Sequence, residues 1–412
     1  MKTGKHFIFL AAVILGMIWV ASAGAQEIVI GYTGPLSGPA GEYGQDCLNG
    51  VEMAILEINA AGGIAIKGKK HTFKLLKMDD RVNPQTAVNN AMQMRSESKA
   101  IAIFNPVFGT IASLMKVNTD QKNEFIIMGY TSTPQASEMG NKLAVITTIP
   151  LTVYNRLEAN LAWAKGWRKG AMVVTAGAYG DEWRKAFRKE WEKNGGSITV
   201  DKATNYYTRT DFAGPLTEAL ASQPDFLLIG GPSTTTALIV EQARAKGFEG
   251  GFVMIDQAKL DAIHAMMERP LGMEGSIGVA MVSGIPYPAS DAFAKNNKAN
   301  YRRNVTWETV VNYTGMHALA KAIAAAGTTT DTRAIRAAFP RVFPLLGDKY
   351  PMEIYGITAN GRILHAAVIQ SMKHGRFTQP QAYIWWARTQ KEFNQIKKMY
   401  KGSAPLVWQQ VD

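Results

Sequence analysis

The chain has 412 residues, 47% hydrophobic and 19% charged, with a net charge of +12 and one cysteine. That length exceeds one ordinary hydrophobic core and implies about two domains. A single cysteine excludes an intrachain disulfide, and scattered basic residues without a recognition module speak for a solvated basic surface and against nucleic acid as partner.

Lys2 and Lys5 precede an apolar run, Phe7 to Val20, and Ala23-Gly24-Ala25 supplies the small residues of a cleavage site. Residues 1–25 thus read as a secretory signal, with Gln26 as the new N-terminus, and the mature chain carries +10. No cysteine follows the cleavage site to take a lipid anchor, and no later stretch reaches the ~18 apolar residues of a membrane span. A soluble protein of a bacterial periplasm is expected.

Strands and helices then alternate. Glu27 to Tyr32 reads as a strand. Leu48, Val51, Ile55 and Ile58 form one apolar helix face, ended by Gly62-Gly63. Phe73 to Met78 is a strand, Asn83 and Pro84 cap a helix, and Ala100 to Phe104 is a third strand. A helix is expected from Thr110 to Gln121, then a strand from Phe125 to Gly129. After Pro150 the rhythm restarts with a strand at Ala171 to Thr175. The next helix carries Trp183, Phe187 and Trp191 at i, i+4 and i+8, a spacing that reads as core packing. Strands at Ile198 to Val200, Asp225 to Gly230 and Gly251 to Ile255 follow, with a helix from Ser233 to Lys246. Residues from Tyr287 to Arg341 are helix-rich. The tail from Ile354 mixes strands with a helix at Lys391 to Tyr400. Two runs of alternating strand and helix predict an α/β chain with two mostly parallel sheets.

Signatures of catalysis are missing. The chain has no G-x-S-x-G elbow, phosphate loop, H-E-x-x-H or dinucleotide fingerprint. His71, His264, His317, His365 and His374 are isolated in sequence, and Cys47 reads as a small buried residue. No enzyme, cofactor or metal is expected. Three loops stand at the carboxyl ends of predicted strands, where open α/β sheets bind ligands. Asn105 to Thr110 leads into a helix N-terminus. Gly129 to Pro134 is dense in hydroxyls that suit a carboxylate, although the same composition suits a turn or cap. Asp256-Gln257 could receive a cationic group.

The opening stretch carries a resemblance. Gly34-Pro35-Leu36-Ser37-Gly38-Pro39, Glu42-Tyr43-Gly44 and Ile58-Asn59-Ala60-Ala61-Gly62-Gly63-Ile64 resemble the start of the branched-chain amino-acid (Leu/Ile/Val) binding proteins of ABC importers. Met78-Asp79-Asp80, Asn83 to Val88 and Gln242 to Gly247 resemble later signatures, and the similarity runs from about Glu27 to Gly361. It implies a type I periplasmic-binding fold, two doubly wound lobes joined by three crossovers, near Thr148, Gly275 and Tyr350. Lobe 1 would be 26–148 plus 275–350, and lobe 2 would be 149–274 plus 351–412. It also implies a monomer that captures a small solute and hands it to a membrane permease. A sensor of the same fold acting on a signalling partner is the alternative. Carried over residue by residue, the family's carboxylate site falls on Gly109, Thr110, Thr131 and Thr133, with Tyr43 covering the ligand. Tyr179, Asp256 and Gln257 would contribute from the second lobe. Gln257 stands where a leucine binder has an acid, and Pro232 where an aromatic is common, so the ligand stays open among amino acids, aromatic acids and amides.

Overall fold

The computed structural model describes residues 26–267 and 270–408. The export segment read at residues 1–25 lies outside them.

The first sheet contains β1 (Gln26–Gly34), β2 (Ile64–Ile66), β3 (Lys69–Asp79), β4 (Ala102–Asn105), β5 (Ile126–Gly129) and β6 (Ala144–Ile146). Their order is β2-β3-β1-β4-β5-β6, parallel throughout except for the short β2. The central strands are apolar runs buried on both faces, as helix-covered parallel strands must be. The helix Gly41–Ala60 buries Leu48, Val51, Ile55 and Ile58 as their spacing predicts. Its end forms a Schellman motif, with Gly63 N–H donating to Ile58 O (2.8 Å) and Gly62 N–H to Asn59 O (2.9 Å). Both glycines have positive φ. The Asn83 side chain accepts from Thr86 N–H, and Pro84 opens the next helix.

The second sheet contains β7 (Lys169–Thr175), β8 (Ser197–Thr204), β9 (Phe226–Gly230), β10 (Gly251–Met254) and β11 (Ile277–Val279). A hairpin of β12 (Gly356–Ile357) and β13 (Ile363–Leu364) precedes β14 (Ala367–Lys373), β15 (Arg376–Phe377), β16 (Gln381–Ile384) and β17 (Leu406–Trp408). The sheet order is β17-β16-β14-β11-β10-β9-β7-β8. Its parallel part, β8-β7-β9-β10-β11, repeats the order of β3-β1-β4-β5-β6, so each lobe is doubly wound with its own switch point. Trp183, Phe187 and Trp191 are completely buried, and Trp191 meets Phe226 edge-on at 4.9 Å between centroids. Cys47 is buried and free.

Three readings shift. The helix expected to reach Gln121 spans only Phe108–Leu114. Buried Asn118 stops it, because its backbone carbonyl and side chain bind Phe125 N–H and O and pull the chain into β5. The second crossing of the chain lies after β11, not near Gly275, since β11 still pairs with β10 and β14. The third lies beyond Arg362, not near Tyr350, because Arg362 still bridges to Ile146 at the edge of the first sheet. The helices Ser290–Tyr301, Trp307–Ala326 and Thr332–Ala338 therefore pack with the first lobe. Gly50 permits the close approach of the helices Gly41–Ala60 and Trp307–Ala326: a Cβ there would lie 2.2 Å from Thr309 O. Among the described residues no helix is long and apolar enough to cross a membrane.

Candidate functional site

The loops leaving the strand carboxyl ends of both sheets converge on one cavity. From the first lobe come Tyr43, the segment 106–108 after β4, the loop 130–132 after β5, and Thr148 after β6. The second lobe supplies Tyr179, Tyr207, Asp256, Gln257 and Lys259. Glu308, at the start of the helix Trp307–Ala326, closes the ring.

Aromatic side chains form the walls. Tyr43 and Tyr130 face each other at 6.1 Å between centroids, and the Tyr43 hydroxyl donates to Pro106 O at 2.8 Å. The Tyr130 hydroxyl donates to Glu308 Oε1 at 3.3 Å. Burial and the neighbouring Glu308 carboxylate push the Tyr130 phenol well above its usual range, so it remains a donor. Across the cleft, Tyr179 donates to Asp256 Oδ1, and the Trp183 indole N–H reaches the same oxygen at 3.1 Å. Lys259 donates to the Asp256 carbonyl and pairs with Glu308 at 3.1 Å. That pair joins the two lobes, as does the hydrogen bond from Thr234 Oγ1 to Glu42 Oε2 at 3.2 Å.

Three side-chain atoms in the cavity wall are buried and have no hydrogen-bond partner: Ser132 Oγ, Thr148 Oγ1 and Gln257 Oε1. Buried polar atoms are almost always satisfied, so three unpartnered ones in a single cavity wall are groups that a polar ligand can satisfy. Two hydroxyl donors stand on one side and an acceptor on the other.

Of the residues expected from sequence, Tyr43, Thr131, Tyr179, Asp256 and Gln257 line the cavity, and Gly109, Thr110 and Thr133 do not. The Thr110 hydroxyl is spent inside the first lobe, donating to Asn105 Oδ1 at 2.6 Å. Thr133 is fully buried, its Oγ1 accepting from Thr131 Oγ1 at 3.3 Å, and exposed Gly109 has open space where a Cβ would stand. Among the threonine and serine side chains of these loops, Ser132 and Thr148, and not Thr110 or Thr133, place unpartnered hydroxyls in the cavity wall. Ser132 lies within the hydroxyl-rich loop that the composition singles out. Glu308 and Arg362, which lies behind that loop, carry no local signal.

Residues 27–376 match the family model described as periplasmic binding protein. The chain belongs to the periplasmic binding protein family. An amino acid binding protein of Pseudomonas aeruginosa is 24% identical over 79% of this chain and 86% of its own. The Leu/Ile/Val-binding protein of Escherichia coli is 25% identical over 56% of this chain and 61% of its own. Two solved structures share the fold. The branched-chain amino acid transporter substrate binding protein LivJ of Streptococcus pneumoniae, in complex with isoleucine, gives a TM-score of 0.73 at 20% identity, covering 87% of this chain and 99% of its own. A solute binding protein of an R. palustris ABC transporter, in complex with 4-hydroxybenzoate, gives 0.71 at 19% identity, covering 86% and 97%. For a periplasmic binding protein, a cavity between the lobes at both switch points is where the topology puts a ligand.

Proposed function

We propose that this chain is the extracytoplasmic solute-binding component of an ABC importer, exported by cleavage near Ala25, and that it closes its two lobes on a small carboxylate. The carrying observation is the interlobe cavity with its three unpartnered buried atoms. Ser132 and Thr148 offer hydroxyls to the carboxylate, and Gln257 offers an acceptor to a donor group at the far end. Asp256 also faces the cavity, with Tyr179 and Trp183 both on Oδ1. A carboxylate has about four acceptor positions, so an ammonium or hydroxyl of the ligand can join them. Tyr43, Phe108, Tyr130, Tyr179 and Tyr207 surround the middle with aromatic surface. That frame suits an amino acid with a branched or aromatic side chain and equally a hydroxylated aromatic acid, the two kinds of ligand in the similar structures.

The test is a thermal-shift screen of amino acids, aromatic acids and amides, followed by titration calorimetry and small-angle scattering on the hits. A ligand at 100 times its Kd should stabilise the protein by about 2.7 kcal/mol. The radius of gyration should fall on saturation, as hinge closure requires. A screen without hits, or a hit that leaves the scattering unchanged, would defeat this reading.

A further inference from the structure

We infer that Arg362 is a positioning residue for solute binding: its buried guanidinium supplies the positive charge that makes the Ser132–Thr148 end of the cavity selective for a carboxylate. This rests on the solute-binding reading above.

Arg362 is 3% exposed. Its Nε donates to Ser137 Oγ at 2.9 Å. One terminal nitrogen donates to Thr148 O at 2.9 Å and Thr131 O at 3.3 Å, and the other to Thr133 O at 2.7 Å. Each of these acceptors is neutral; the Glu138 and Asp256 carboxylates act on the charge without hydrogen-bonding to it. An arginine is seldom buried without a directly bonded anion, because desolvating its charge is costly. Burial draws its pKa down to about 9, which still leaves the group charged at neutral pH.

The three carbonyls show what that charge serves. Thr131 and Thr133 flank Ser132, and the third carbonyl belongs to Thr148 itself. These are the two residues whose hydroxyls are buried in the cavity wall without a partner. The guanidinium therefore lies directly behind the donors without contacting the cavity, since Arg362 is absent from its lining. The Thr131 carbonyl points at the guanidinium, so the trans peptide turns Ser132 N–H the opposite way. A hydroxyl pair backed by a fixed cation favours an anion over a neutral group of the same shape. Arg362 also sits where the chain leaves the first sheet for its third crossing, and it grips Thr148 in the first crossing. It thereby fixes the carboxylate end of the cavity to two of the three interlobe connections.

The test compares acids with their amides. L-Leucine, L-phenylalanine, benzoate and 4-hydroxybenzoate, each with its primary amide, are titrated calorimetrically into wild type, Arg362→Lys, Arg362→Gln and Ser132→Ala. In wild type at least one acid should bind about tenfold or more tightly than its amide, the effect of one fixed charge at short range. Arg362→Gln should bring that pair within about threefold, and Arg362→Lys should keep most of the preference, because Lys restores charge without the planar fork. A purely structural arginine would lose acid and amide binding in parallel, and that result overturns the inference. So does wild type that binds acids and amides alike, or that binds amides and no acid, and these outcomes leave solute binding standing. Should Arg362→Gln fail to fold, Arg362→Lys and Ser132→Ala decide, since the deleted serine hydroxyl has no protein partner to lose. A preference kept by lysine and reduced by Ser132→Ala supports the inference, and a preference lost with lysine or indifferent to Ser132 overturns it. Failure of all eight compounds together with the wider screen removes the solute-binding reading itself.

Discussion

Glu308→Gln probes how the two lobes hold together. The Glu308 carboxylate meets the Lys259 ammonium at 3.1 Å, and the two side chains are only 4% and 10% exposed. Glutamine keeps an acceptor for Tyr130 and fills the same volume, so it mainly removes the negative charge. Lys259 then remains buried with the Asp256 carbonyl as its neutral partner. Breaking one side of a buried ion pair costs about 3–5 kcal/mol, and the retained amide carbonyl places this case near 3. Opening the cleft returns Lys259 to water, so the cost falls on the closed form and not on the folded lobes. The expected result is a rise in Kd of roughly 150-fold for whichever solute the screen identifies, from about 1.4 kcal/mol per tenfold. Thermal melting without solute should change little. Scattering at a fixed solute concentration should show a larger radius of gyration than wild type. Combining Glu308→Gln with Lys259→Met removes the unpaired charge and should recover most of the closure. An unchanged Kd and scattering profile in folded Glu308→Gln would show that the pair does not bind the lobes together.

Asp256→Asn should separate ligand classes: binding of an amino acid should weaken by several kcal/mol and binding of its des-amino analogue by much less, because only the ammonium needs the charge. Equal losses in paired titrations would remove Asp256 from ammonium recognition. Gly50→Ala should destabilise the first lobe by about 1–3 kcal/mol, because its Cβ would stand 2.2 Å from Thr309 O where two helices cross. An unchanged urea midpoint would contradict that contact. Asp80 is buried beside Thr33, Asn105 and Val82 N–H, and burial lifts its pKa to about 6. The folded chain then holds a proton that the unfolded chain has released between about pH 4 and 6, so the Asp80 contribution to stability falls as pH rises through that window, by about 2–3 kcal/mol. Relative to wild type, Asp80→Asn should accordingly show a larger deficit at pH 4 than at pH 7 in urea melts, and the opposite order would refute the assignment.

Much of the scaffold is written in short-range pattern. The 3.6-residue period of Leu48, Val51, Ile55 and Ile58 and the apolar runs of β5, β9 and β4 up to Phe104 declare which surfaces must be buried, and the structure buries them. Asn83-Pro84 and Gly62-Gly63 mark helix ends through local hydrogen bonding, which sequence shows directly. The helix that was to reach Gln121 stops at Leu114 because Asn118 is engaged by Phe125. Propensity within the helix itself says nothing of that partner. The 146–362 bridge that delays the third crossing is likewise a contact between distant segments.

The site divides along the same line. A loop after a strand, rich in threonine and serine, announces polar chemistry, and Asp256-Gln257 announces itself by ending a strand. Which hydroxyl faces the cleft depends on the turn of each loop. Thr133 and Thr110 look equivalent to Ser132 and Thr148 in sequence, yet their hydroxyls are consumed by Thr131 and Asn105. Glu308 and Arg362 come from far along the chain and reach the cleft region only because the chain crosses between lobes before each of them. The repeated crossings therefore do more than join two halves. They return late segments to the first lobe, so a second-lobe lysine faces a late carboxylate in the cavity wall while a late arginine backs an early hydroxyl loop. On the proposed reading, solute capture and lobe closure share residues: the charged groups in and behind the cavity wall are also those that tie the connections and the two lobes together.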